Sequence, residues 1–137
     1  MFISKEDYKV VIGDAAFKVV SQASAVNVEN AEAEAVEEIS SYLRPVYDTD
    51  AIFSAEGDKR NRLIVMYTAD IALYHLVASQ PQRMGIEIRK ERYDHAIKWL
   101  EGVKARDLTP DLPRAQFTED TSFGTSFRSA SKLNHDW

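Results

Sequence analysis

The sequence predicts an all-α protein, a compact bundle of about five helices with an extended C-terminal tail. Three observations carry this reading. Apolar residues recur at helical spacing in separate blocks between residues 4 and 105. One of these blocks, Leu63 to Ala78, is apolar on almost every face. After Thr109-Pro110-Asp111-Leu112-Pro113 the composition turns polar, with aromatic residues set singly. The 137 residues suffice for one domain with a sizeable core. The expected organisation is a helical body over 1–105 and a tail over 106–137.

The first helix starts at Ser4, a good cap, with Asp7 three residues on to complete a capping box. Tyr8, Val11 and Ile12 follow at helical spacing. Gly13 interrupts, and Asp14 is placed to cap a second short helix carrying Ala16, Phe17 and Val20. A longer third helix is expected over 28–44, capped by Asn27, with Glu29 and Glu32 favouring its positive end. Its apolar stripe is Val28, Ala31, Ala35, Ile39, Tyr42 and Leu43. The opposite face is acidic, with Glu29, Glu34 and Glu37, and Glu38 at its margin. Pro45 ends it, because the residue before proline resists helical geometry. Residues 46–57 are expected to cross the surface, anchored by Ile52 and Phe53.

The fourth helix, over 58–79 with Asp58 as cap, is the expected centre of the core. Only Thr68, Asp70 and His75 break its apolar run. Its apolar part spans about 24 Å, so it suits a protein interior better than a membrane. The fifth helix, over 86–104, carries the stripe Tyr93, Ala96, Ile97, Leu100 and Val103. Glu91, His95 and Lys98 face water, and Arg89 falls on the stripe side, where its charge needs a partner. Trp99 lies off the stripe's centre, which suits its edge or an interface. In the tail, Phe117, Phe123 and Phe127 stand singly among polar residues, as in a segment ordered by a partner, and Phe123, Phe127 and Trp137 are its expected anchors.

Composition narrows the function. The net charge is −5, opposite to what phosphate neutralisation requires. With no cysteine, thiolate metal sites and cysteine nucleophiles are excluded. The opening residues lack the layout of a secretory signal, so export by that route is not expected. There is no phosphate loop, no nucleophile elbow and no zinc-binding histidine pair on one helix. His75, His95 and His135 are scattered, so no metal and no cofactor are expected.

Asp70 stands out as a carboxylate within the most apolar helix. Such a group needs partners, and Arg89, Arg92 or a neighbouring tyrosine can supply them. It is read as a structural ion pair, and His75 as a satisfied polar residue of the core or an interface. An enzyme built on both would need them in one cavity, yet five helical residues set them about 140° apart. Two basic clusters, Lys59-Arg60 with Arg62 and Arg89-Lys90 with Arg92, are read as charge-pairing faces rather than nucleic-acid contacts. The acidic face of the third helix, with Glu37 and Glu38, is their complement within or between subunits.

Several stretches, in order, resemble the phage family typified by the product of gene thirty-six of phage Mu. They are Phe2 to Tyr8 with Ile12-Gly13, Ala33-Glu34-Ala35 through Ser41 to Arg44, and Asp70 to Leu76. Next come Arg92 to Leu100, Pro110 to Pro113, and Asn134 to Trp137. The middle of the tail, 115–131, matches least. The resemblance implies a structural head–tail adaptor of a tailed-phage particle, with no catalytic residues. It implies a homo-oligomeric ring, often dodecameric, around the DNA channel, joining the portal to a tail-completion or stopper protein. DNA would pass through without sequence-specific binding, and no membrane would be involved. The protein would sit at the virion neck after assembly in the host cytoplasm. Alternatives are a tail-completion protein at the same neck and a small helical regulatory or nucleic-acid-binding protein.

Overall fold

Ser4 opens the first helix as its spacing predicts. Its hydroxyl accepts from the Asp7 backbone N–H at 3.2 Å, and the Asp7 carboxylate accepts from the Ser4 N–H at 2.8 Å. The structure, a computed structural model, describes residues 1–22, 25–80 and 85–116. Its helices are α1 (Lys5–Ile12), α2 (Asp14–Ser21), α3 (Ala25–Leu43), α4 (Thr49–Ser54), α5 (Arg62–Ala78) and α6 (Ile86–Lys104). A single 3-10 turn, Gly57–Lys59, precedes α5. Among the described residues there is no strand, only an antiparallel bridge between Tyr47 and Arg114. The expected all-α bundle is therefore the fold.

Local chemistry moves some boundaries. Gly13, at φ +91°, turns the chain between α1 and α2 and itself occupies the cap position. Asp14, expected as that cap, is instead the first residue of α2, and its carboxylate meets Lys9 and Lys18 at 3.5 and 3.7 Å. Helix α3 begins at Ala25, so Asn27 lies inside it. The crossing expected over 46–57 contains α4, capped by Asp48, whose carboxylate accepts from the Ala51 N–H. Helix α5 starts later than expected because Asn61, not Asp58, caps it: the Asn61 amide oxygen accepts from Leu63 and Ile64 N–H. Asp58 lies in the 3-10 turn.

Helix α5 is the hub, packed against α3, α6, α1 and α2. Its Ile64, Ala69, Ile71, Ala72 and Leu73 are wholly enclosed, meeting Ala35 and Ile39 of α3 and Ala96 and Leu100 of α6 in one core. A helix apolar on every face requires neighbours on every side, and these are they. After α6 the chain turns at Arg106, with φ +67°, and runs back along the body. Leu112 is buried, the Pro113 carbonyl accepts from the Asp48 N–H at 2.9 Å, and the Ala115 N–H donates to the Val46 carbonyl at 3.0 Å. The stretch 106–116 is thus extended and docked on its own body. Phe117, Phe123, Phe127 and Trp137 lie outside the described residues.

Candidate functional site

The charged side chains flagged by the sequence fall into three clusters around α5. The first lies in the seam between α5 and α6. The Asp70 carboxylate is 3% exposed and accepts two hydrogen bonds from Arg92, at 2.7 and 3.1 Å. Arg89 stands behind it, with Nη1 3.9 Å from Asp70 Oδ1 and no hydrogen-bond partner among the described residues. Both arginines expected as partners of Asp70 therefore meet it, and no described tyrosine hydrogen-bonds to it. Burial pushes the Asp70 carboxyl above its usual range, against the pull of Arg92 and Arg89. Burial likewise lowers Arg89, although Asp70 draws it the other way.

Along the outside of this seam the rings of Tyr67, His95 and Trp99 gather. Tyr67 lies 4.9 Å from Trp99 and 6.1 Å from His95, centre to centre. Trp99 is half-buried, at the edge position its place on the helix suggests. Met66, Tyr67, Asp70, Glu91, Arg92 and His95 border a small cleft of about 290 Å³.

The second cluster ties α3 to α5 and α6. Glu38 is half-buried, accepting from the Tyr93 hydroxyl at 2.5 Å and lying 3.3 Å from His75 Nε2. Tyr74 stacks on Tyr93 at 4.5 Å. The Glu38 carboxylate thus serves contacts inside its own chain, whereas Glu37 is exposed and pairs with Arg44 at 2.7 Å. Asp70 and His75 open to different clefts: His75 borders one with Asn27, Asn30 and Glu34, apart from that of Asp70.

The third cluster clasps the N-terminal segment and rests on a residue that sequence alone misplaces. Glu32, expected to favour the positive N-terminal end of its helix, is 5% exposed. Its carboxylate accepts from the Phe2 N–H at 3.0 Å and the Tyr8 hydroxyl at 3.2 Å. Arg60 donates to the Phe2 carbonyl at 2.8 Å and to Asp7 at 2.7 Å, so its charge is met within the chain. Arg62, by contrast, is exposed and makes no ion pair with any described residue. Burial pushes Asp7 up, but its bonds from Arg60 and Ser4 prevail and lower it. Burial pushes Glu32 above 4.5 despite its hydrogen-bond donors.

A raised carboxyl favours the protonated folded state. Its contribution is complete below the unfolded value and is lost as pH rises through the folded one. Acidifying from neutrality to 4.5 is therefore expected to stabilise the native chain more than a Glu32→Gln variant. Urea midpoints across that range measure this, and parallel pH profiles for the two proteins would contradict it.

Among the described residues no three histidine or acidic side chains converge to hold a metal ion. No helix there is long and apolar enough to cross a membrane. In comparison with known proteins, the family model described as Bacteriophage Mu, Gp36 matches residues 3–129. No curated protein and no solved structure matches the chain.

Proposed function

The chain belongs to the Bacteriophage Mu Gp36 family, and from that premise we propose that it is a structural protein of the phage particle, a head–tail adaptor. It forms a ring at the neck, between the portal and the next tail component, and DNA passes through without being read. Its task is assembly rather than catalysis, and it takes no cofactor. The observation that carries this reading is the family match over 3–129, which spans the helical body and most of the tail.

The geometry supports it in two ways. The conspicuous polar groups, Asp70, Glu38 and Glu32, are each engaged in joining segments of the same chain. The stretch 106–116 is led along the body and anchored beside Tyr47, so the residues that follow start from a fixed point near α4. That is a suitable departure for a segment reaching to a neighbour through Phe123, Phe127 and Trp137.

Removing the gene tests the role. Cells producing the phage without this chain are expected to accumulate heads and tails that fail to join, visible by electron microscopy and reversed by supplying the protein. Normal infectious particles in its absence would overturn the proposal.

A further inference from the structure

After α6 the chain reverses through three exposed residues, Arg106, Asp107 and Leu108. The Asp107 and Leu108 N–H groups both donate to the Gly102 carbonyl, at 2.9 and 3.2 Å, and close the turn. Arg106 stands in it at φ +67°, and among the described residues no other residue with a side chain has a positive φ. Helices commonly end on such a left-handed residue, but glycine usually fills the place because a Cβ is crowded there. The hinge therefore holds its closed form at a conformational cost, and none of its three residues belongs to the buried core.

The segment that follows, 109–116, has a seat that does not depend on the helix delivering it. The Pro113 carbonyl accepts from the Asp48 N–H at 2.9 Å, and the Ala115 N–H donates to the Val46 carbonyl at 3.0 Å. The Asn61 side chain donates to the Asp111 carbonyl at 3.2 Å, and the Arg114 guanidinium lies 5.8 Å from the centre of the Tyr47 ring. Among the described residues none of its hydrogen bonds runs to α6. Leu112 is its one buried side chain. The segment is thus a strap held by backbone bonds and a single apolar anchor, the manner in which an extended peptide joins a separate chain. Pro110 and Pro113 fix much of its backbone, so it keeps its bound shape when lifted and loses little freedom on docking again.

We propose, on the reading of the chain as a ring-forming neck protein, that this strap is exchanged on assembly. Residues 109–116 of one copy leave their own body and take the same seat, Val46 to Asp48 with Asn61, on the next copy. The seat itself selects the occupant, because every contact made within one chain is available unchanged between two copies. The two arrangements differ only in the hinge, and exchange releases Arg106 from its left-handed conformation. Each copy gives one strap and receives one, which extends head to tail into a ring. The residues after Gln116 are then delivered to the neighbour.

The absence of native cysteine permits a direct test. Val46→Cys marks the seat and Ala115→Cys the strap, two half-buried positions joined by a backbone hydrogen bond. Full-length chains carrying one change each, distinguished by mass, are mixed at high concentration under mild oxidation. The expected product is the mixed 46–115 disulfide, in excess over both like pairs. Adding Arg106→Gly to both chains, which removes the conformational cost of the closed hinge, should lower its yield several-fold. Random pairing, or no mixed disulfide, would overturn the exchange, and a yield indifferent to Arg106→Gly would overturn the hinge as its cause. Both cysteines in one chain test the geometry: at high dilution the disulfide should close within the chain, and at high concentration a ladder beyond the dimer is expected. Failure to close at dilution would overturn the seat on which the proposal stands. A product that stops at the dimer would overturn the head-to-tail order in favour of a reciprocal pair. The gene-removal experiment decides the neck role separately.

Discussion

Replacing Asp70 with alanine is expected to destabilise the folded chain by about 3–5 kcal/mol, the range for breaking a buried ion pair from one side. Two guanidinium groups converge on that carboxylate, and Arg89, itself 7% exposed, pairs with no other described anion. Without Asp70 the interior would hold an uncompensated cation, and α6 would separate from α5 or draw in water. For a chain of this length the melting temperature should fall by on the order of 10 °C or more. A triple variant with Asp70→Leu, Arg89→Met and Arg92→Met separates this cause from simple loss of packing. Apolar groups of similar volume need no counter-charge, so it should recover most of the lost stability. Thermal and urea unfolding of both variants measure this. A near-neutral Asp70→Ala would mean that the seam does not depend on charge compensation.

Leu73→Ala is expected to cost about 2–5 kcal/mol, the range for a core leucine truncated where the surroundings cannot close in. Leu73 is wholly buried on α5, the helix to which α1, α2, α3 and α6 all attach. A void there is fixed by rigid neighbours on several sides and cannot collapse cheaply. Leu63→Ala on the same helix provides the contrast. Leu63 is 41% exposed, so its removal should cost well under about 1 kcal/mol. Similar urea midpoint shifts for the two variants would contradict the placement of α5 at the centre.

The fold is legible in the sequence because periodicity reports burial directly. Leu63 to Ala78, apolar nearly all round, is the hub, and the stripe Ala96, Leu100, Val103 is the buried face of α6. Arg89 on that stripe announces its need for a partner, and Asp70 supplies it. Glu32 misleads because its charge suggests a helix start while its position says otherwise. It stands four residues after Val28 and three before Ala35, on the buried stripe itself. Its partners, Phe2 and Tyr8, are distant in sequence, so only the fold reveals why a carboxylate belongs there. Glu38 shows the same limit: it sits at the margin of the acidic face, and the tertiary contact with Tyr93 and His75 turns it inward.

Helix boundaries are hardest to read where side chains compete. Asp58 and Asn61 are both capable caps, and the pull of Asp7 and the Phe2 carbonyl on Arg60 favours a 3-10 turn before Asn61. Helix α4 escapes a periodicity reading because six residues are too few to register.

The most direct test of the central claim is an electron cryo-microscopy reconstruction of the intact particle's neck, with this chain identified by side-chain density. The expected result is a closed ring of copies between portal and tail. The residues after Gln116 would lead toward an adjoining subunit. A neck built without this chain, or its absence from the purified particle, would contradict the account.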